Sequence, residues 1–288
     1  GVYELGSTFK IFAIAQALEL KLVSPETMIN VSGPLRWGKF KIRDFHNYGS
    51  ELPVKKVISK SSNIGTARIA QEIGSIEQQK FLKSLGFFDI VPLEMVEASG
   101  GKPLLPKNWS ELSTMTISYG HGLSATPLHL AAAYAAIGNG GYRVTPTLQI
   151  QENRKYGDRV ISEAVSKQAL SMLRSVVTDG TATMAEVPGY PVAGKTGTAD
   201  KPSPTGRYYD DKVITNFAAL FPAGDPKYVL VVTMDEPEDT TGEEARRTAG
   251  WTAVPVAAEI ITRIAPLLGL RPENNQDPLF KVLPAKMN

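Results

Sequence analysis

Gly189-Tyr190-Pro191-Val192-Ala193-Gly194-Lys195-Thr196-Gly197-Thr198-Ala199-Asp200 admits two readings, and the choice between them decides the fold. Residues 189–196 match the phosphate-loop pattern G-x-x-x-x-G-K-[ST] letter for letter. That pattern works only when a helix comes at once after it, with its N-terminus cradling the phosphates. The next residues, Gly197 to Gly206, include Pro202 and Pro204, which prevent such a helix, and Pro191 lies inside the loop itself. The other reading is a strand from Val192 to Ala199. Val213 to Phe221 and Tyr228 to Asp235 are also strand-like, rich in β-branched and aromatic residues. They are separated by Asp200 to Asp211 and by the turn Ala223-Gly224-Asp225-Pro226. Connections this short favour antiparallel pairing, because parallel strands need a crossover of a dozen or more residues. A last helix, about Val254 to Leu268, is placed to pack on that sheet.

Upstream, the chain reads mostly as helices. Ile11, Ile14, Ala15, Leu18 and Leu22 recur at helical spacing over Ser7 to Leu22, with Gly6 just before. Residues 23–52 carry turn formers and read as an irregular excursion. Pro53 opens a helix to about Lys60, Ser61-Ser62-Asn63 interrupts it, and Thr66 to Ile73 resumes it. Ser75 caps a helix to Leu85, stopped by Gly86. Residues 87–123 read as loop. Ser124 or Thr126 caps an alanine-rich helix to Ile137, followed by a short strand near Thr147 to Gln151 and a helix from Ser162 to Val177. The order is helices, then an antiparallel sheet, then a covering helix: an α+β fold, all-helical over about 7–140, with the sheet and its helix over about 190–270.

Composition narrows the function classes. The 288 residues are 42% hydrophobic and 21% charged, which excludes wholesale disorder. There is no cysteine, so thiolate metal sites, a cysteine nucleophile and disulfides are excluded. A formal charge of +2 does not argue for nucleic acid. No stretch reaches the roughly 20 apolar residues of a membrane-spanning helix. His46, His121 and His129 are too few and scattered for a metal site, and nothing calls for a cofactor.

Three patterns carry chemistry. In Ser7-Thr8-Phe9-Lys10, residues three apart share a helix face, so the Lys10 amine can reach the Ser7 hydroxyl. A serine is a poor nucleophile until a base takes its proton, and a lysine serves when burial or a nearby cation lowers its pKa. The same spacing recurs in Ser99-Gly100-Gly101-Lys102, a glycine-rich decoy. In Ser61-Ser62-Asn63, Ser61 can relay a proton and Asn63 can hold an amide with its donor and acceptor; taken alone, the triplet reads better as a helix cap, which these residue types favour strongly. In Lys195-Thr196-Gly197, followed by Thr198, the lysine charge and the threonine hydroxyls suit a carboxylate. The glycine lets a substrate backbone come close.

Ser-x-x-Lys, Ser-x-Asn and Lys-Thr-Gly, in that order, form the signature of penicillin-binding proteins and serine β-lactamases. Tyr3 to Lys10, Lys60-Ser61-Ser62-Asn63-Ile64-Gly65, Tyr119 to Leu128 and Gly194 to Ala199 resemble a class B penicillin-binding protein. Gly206-Arg207-Tyr208-Tyr209-Asp210-Asp211 and Asp235-Glu236-Pro237 resemble its division-associated, septal transpeptidases in particular.

The resemblance implies a penicillin-binding/serine β-lactamase-like fold over residues 1–288, a central antiparallel sheet covered by helices beside an all-helical subdomain. It implies Ser7 as the acylated nucleophile, Lys10 as its base, Ser61 as proton shuttle and Asn63 as a positioner of the donor peptide. Lys195, Thr196 and Thr198 would bind the donor's terminal carboxylate or that of a β-lactam, and Gly197 would leave room for it. Backbone N–H groups of Ser7 and Thr198 would form the oxyanion hole. The activity implied is peptidoglycan D,D-transpeptidation in septal wall synthesis, with stem peptides and β-lactams as ligands. A septal glycosyltransferase and other division proteins would be partners. The domain would be periplasmic, tied to the inner membrane only through an N-terminal anchor that is absent here. Members have strands before the nucleophile helix, whereas six residues precede Ser7, so an incomplete sheet is expected. Leu5 stands where members usually have proline. The alternatives are a serine β-lactamase or a D,D-carboxypeptidase of the same fold and, remotely, a P-loop nucleotidase. The glutamate motif of class A β-lactamases is not found, and class D enzymes have valine where Asn63 stands.

Overall fold

The structure, a computed structural model, describes residues 1–152, 156–203 and 207–273. Strand β1 (Tyr3–Glu4) leads into a 3-10 turn, Gly6–Phe9, and then α1 (Lys10–Glu19). Four short strands come after it: β2 (Met28–Asn30), β3 (Leu35–Trp37), β4 (Phe40–Ile42) and β5 (Glu51–Pro53). Helices α2 (Val54–Ser59), α3 (Asn63–Ile73), α4 (Ser75–Ser84) and α5 (Glu111–Ser118) come next, then β6 (Ser124–Ala125) and α6 (Pro127–Gly138). The last third holds α7 (Glu163–Asp179), β7 (Ala193–Pro202), β8 (Tyr208–Phe221), β9 (Tyr228–Asp235) and α8 (Ala253–Leu267).

Strands β7, β8 and β9 form one antiparallel sheet in that order. Its register sets Gly197 opposite Asn216, and Asn216 opposite Thr233. Helices α6, α7 and α8 pack against it. A continuous apolar core runs from α1 through α6 and α7 to the sheet and α8. Helix α1 lies inside that core, with every residue from Lys10 to Leu18 buried. A helix so enclosed takes its stability from packing rather than from propensity. Its nine buried residues include Lys10 and Gln16, the latter tied by its Nε2 to the Glu77 carbonyl at 2.7 Å.

Several local expectations change. The first helix starts as a 3-10 turn and stops at Glu19, short of Leu22, beside Lys21 at φ +57°. The irregular excursion 23–52 holds two small antiparallel pairs, β2 with β5 and β3 with β4. Helix α5 falls in a stretch expected to be loop; its short apolar set, Leu112, Met115 and Ile117, lies among serines and threonines, and Ser110 caps it by accepting from Ser113 N–H. No strand forms over Thr147 to Gln151. A strand needs a partner there, and instead the Glu94 carboxylate accepts from Thr147 Oγ1 at 2.6 Å and Leu148 N–H at 3.0 Å. Ser75 opens α4 rather than capping it, and Thr126, not Ser124, caps α6.

The hairpin joining β7 and β8 is longer than expected. Pairing extends past Asp200 to Pro202 opposite Tyr208, after a register shift between Asp200 and Pro202. That stretch was expected only to separate the strands, and ion pairs line the extension. Lys201 meets Asp235 and Glu236, and Lys212 meets Glu236 from the next strand. Gly206, which opens the stretch Gly206 to Asp211, lies outside the described residues. No helix among the described residues is long and apolar enough to cross a membrane.

Candidate active site

The strand reading of residues 192–199 holds. Lys195 and Thr196 sit within β7, and no helix comes directly after them. The phosphate-loop match therefore lacks the N-terminal amides it needs.

Gly197 is the point where the two halves of the molecule meet. A Cβ placed there would lie 2.4 Å from the Leu5 carbonyl oxygen and 3.0 Å from Thr8. The missing side chain thus admits the backbone that leads into the Gly6–Phe9 turn. The turn is gripped from both sides. Gly6, at φ +57°, rests on the Thr198 backbone, and its N–H donates to the Gly120 carbonyl at 3.2 Å. A Cβ on Gly120 would overlap the Gly6 carbonyl at 1.8 Å. These three glycines place Ser7 beside the sheet edge, three residues before Lys10. Among the described residues, the Ser7 hydroxyl makes no hydrogen bond.

Lys10 does not hydrogen-bond Ser7; its Nζ donates to the Ser61 carbonyl at 2.6 Å and to Ser61 Oγ at 2.9 Å. Lys195 donates to the same Oγ at 3.0 Å. Two donors occupy both lone pairs of the Ser61 hydroxyl, leaving its proton to be given away. Ser61 sits between α2 and α3 at φ +61°, unusual for a residue with a side chain. Strained backbone of this kind clusters at functional sites. Both lysines are fully buried. Burial and the neighbouring Lys195 charge push the Lys10 ammonium well below the usual lysine range, against an opposing pull from Asp44. Burial pushes Lys195 down to about 7. Two buried amines at this separation cannot both hold a proton cheaply, so one is available as a base near neutrality.

The remaining sequence-chosen residues surround this centre. Thr196 receives a 3.3 Å contact from Lys195 Nζ, and its Oγ1 lies 2.6 Å from Thr181 Oγ1. Thr198 Oγ1 accepts from Ala249 N–H at 3.0 Å, which leaves its own proton free to donate. Asn63 opens α3; its Nδ2 donates to the Arg43 carbonyl at 3.0 Å, and it makes no bond to Lys10 or Ser61. Lys10, Ser61, Lys195 and Thr196 are therefore one hydrogen-bonded chain, with Ser7 and Thr198 adjoining it through the backbone and Asn63 at its rim.

Two contributors, Asp44 and Glu4, carried no signal in the sequence. Asp44 accepts from Ser62 Oγ at 2.7 Å and from Ile64 N–H at 3.0 Å, so it holds the Ser61–Asn63 turn. Ser62 also accepts from Gly65 N–H at 2.9 Å, so the triplet both caps α3 and presents its flanking residues. Glu4 accepts from Gly122 N–H at 2.7 Å and Tyr208 at 2.9 Å, with His121 Nδ1 3.3 Å away. Burial acts to raise the Glu4 carboxyl, but hydrogen bonds from His121, Gly122 and Tyr208 override it and hold it below its ordinary value. No local pattern marks Asp44 or Glu4, because both act on partners far along the chain; the cap preference of Ser62, whose partner Gly65 is three residues on, was readable. The decoy Ser99 donates to the Val96 carbonyl in a surface turn. His129 lies buried in the capping box of α6.

Known proteins show which family has this fold. Residues 1–262 match the family model described as penicillin binding protein transpeptidase domain. A probable peptidoglycan D,D-transpeptidase FtsI of Caulobacter vibrioides is 35% identical over 94% of this chain and 47% of its own length. The peptidoglycan D,D-transpeptidase FtsI of Escherichia coli K12 is 31% identical over 94% of this chain and 45% of its own. The chain thus spans about half the length of these relatives. The apo TP domain of Burkholderia pseudomallei penicillin-binding protein 3 superposes with a TM-score of 0.85 at 33% identity, covering 95% of this chain and 82% of that one. A Mycobacterium penicillin-binding protein 3 complexed with aztreonam gives 0.81 at 29%, covering 95% and 64%. The α+β fold is that of these domains, and the chain belongs to the penicillin-binding protein transpeptidase domain family.

Proposed function

We propose that this domain is a serine D-Ala-D-Ala transpeptidase that cross-links peptidoglycan stem peptides in septal wall synthesis and is acylated by β-lactams. The observation that carries the reading is the convergence of two fully buried lysines on Ser61 Oγ, at 2.9 and 3.0 Å, beside an unengaged Ser7 hydroxyl. Neutral Lys10 takes the Ser7 proton as Oγ attacks the carbonyl carbon of the penultimate D-Ala. Backbone N–H groups of Ser7 and Thr198 receive the developing oxyanion, where one such donor is worth about 2.7–4 kcal/mol. The proton passes through Ser61 to the leaving amine, the C–N bond breaks, and terminal D-Ala departs. An amine of a neighbouring stem peptide then attacks the ester, gives its proton back along the same chain, and restores Ser7. Lys195, Thr196 and Thr198 hold the donor's carboxylate, and Asn63 holds its backbone amide. The whole protein acts in the periplasm from an inner-membrane anchor, with a septal glycosyltransferase and division proteins as partners.

Intact mass after incubation with benzylpenicillin, followed by peptide mapping, tests this. A lasting adduct on Ser7, absent in Ser7→Ala, is the expected result. An adduct that vanishes within seconds would move the assignment to a β-lactamase. Release of D-Ala to water with no transfer to an added amine would make it a carboxypeptidase.

A further inference from the structure

Thr181 lies outside the three motifs, in the turn between α7 and the 3-10 turn Thr183–Ala185, yet its hydroxyl meets the site. Its placement is firm. Before it, a Cβ on Gly180 would lie 2.6 Å from the Ser59 carbonyl oxygen, so the chain passes tightly under α2. After it, Ala182 N–H donates to the Val176 carbonyl at 3.1 Å. The Thr181 side chain is exposed, and its Oγ1 stands 2.6 Å from Thr196 Oγ1.

A threonine hydroxyl has one proton and two acceptor positions. Lys195 Nζ addresses one of the Thr196 lone pairs, at 3.3 Å. If Thr181 donates to the other, the Thr196 proton has nowhere to go but into the cleft. If instead Thr196 donates to Thr181, no proton is left for a ligand. An anion in the cleft selects the first arrangement, and each hydrogen bond in such a chain strengthens the next. Thr198 reaches the same condition by another route, because Ala249 N–H already donates to its oxygen.

We propose that Thr181 is a positioning residue for carboxylate recognition: its hydroxyl donates to Thr196 and thereby aims the Thr196 proton at the terminal carboxylate of the donor peptide or β-lactam. This rests on the acyl-transfer reading and deepens it, adding a specificity contact that touches the ligand only through Thr196.

The test compares second-order acylation rates, read by intact mass, for benzylpenicillin and its methyl ester, in the wild type, Thr181→Val and Thr181→Ser. Valine keeps the shape and removes the donor; serine keeps the donor. Thr181→Val is expected to slow benzylpenicillin about tenfold and the ester less than twofold, with Thr181→Ser within twofold of wild type on both. Equal losses on acid and ester would show a merely structural effect and overturn the proposal, as would an unchanged acid-to-ester ratio. A wild type that forms no Ser7 adduct would overturn the acyl-transfer reading, and this proposal with it.

Discussion

The first turns of α1 border two buried environments built on opposite principles. On one side, Phe9, Phe12, Phe87 and Tyr134 form an aromatic cluster with centroids 4.7–5.6 Å apart, mostly edge to face. Its one polar group is satisfied, since Tyr134 donates to the Thr8 carbonyl at 2.9 Å. Such pairs add about 0.5–1.5 kcal/mol each beyond the area they bury. On the other side, Lys10 shares Ser61 with Lys195, two buried amines with a strained serine between them. Burial stabilises the fold in the first region and taxes it in the second. The aromatic side anchors the helix so that the lysine side can be held in an unfavourable state. That state is what lowers the lysine pKa values and makes a base available.

The largest effects should therefore separate cleanly between the two sides. Lys10→Met keeps the volume and removes the base, so β-lactam acylation should fall by about a thousandfold, within the usual range for a general base. Its thermal stability should hold or rise, because a buried amine is replaced by an apolar chain. Phe12→Ala should do the reverse, costing about 3–5 kcal/mol of stability while the folded fraction still acylates within a few-fold of wild type. Denaturant melts and mass-detected acylation on the two variants check both halves. A Lys10→Met that is several kcal/mol less stable would break the comparison.

A smaller effect comes from Lys195. Its folded pKa is about 7, against about 10.4 in an unfolded chain. Between those values the unfolded state binds the extra proton, so stability rises with pH across the window. The penalty is in full force below pH 7 and is relieved toward pH 10. Relative to Lys195→Met, the wild type should gain about 3 kcal/mol between about pH 7 and pH 9.5, at 1.36 kcal/mol per unit. Denaturant melts across that range give the difference, and parallel profiles for the two proteins would refute it.

How legible each region was depends on the range of its determinants. Lys195-Thr196-Gly197 could be placed on a strand because Pro202 and Pro204 close off the helical alternative within a few residues. The Ser7–Lys10 spacing and the Ser61–Asn63 interruption are equally local. A packing job of Gly197 lay beyond the local pattern, because the backbone that fills its missing Cβ belongs to Leu5, far away in sequence. Asp44 stood in a stretch read as irregular, and its importance comes from capping α3 across about 20 residues. Glu4 and Thr181 likewise act through partners that only the fold brings near. Strand ends failed for a related reason: the pairing of Pro202 with Tyr208 comes after a register shift, and no local propensity reports that.

Asp44 gives the finest test of the lysine side, because its charge and its shape can be separated. Its carboxylate pulls the Lys10 pKa upward, opposing burial and Lys195. Asp44→Asn keeps an oxygen for Ile64 N–H and turns an amide toward Ser62 Oγ, which can accept in place of donating. With the negative charge gone, Lys10 loses its proton at lower pH. The acid limb of the acylation profile should move to lower pH by less than about one unit, the scale of a single partly screened charge. The rate on the plateau should change by no more than about tenfold. Acylation rates measured from about pH 4 to pH 8 in both proteins resolve the shift. An acid limb that does not move would mean that Asp44 acts on the site through the α3 cap alone, and that the two amines set the base without it.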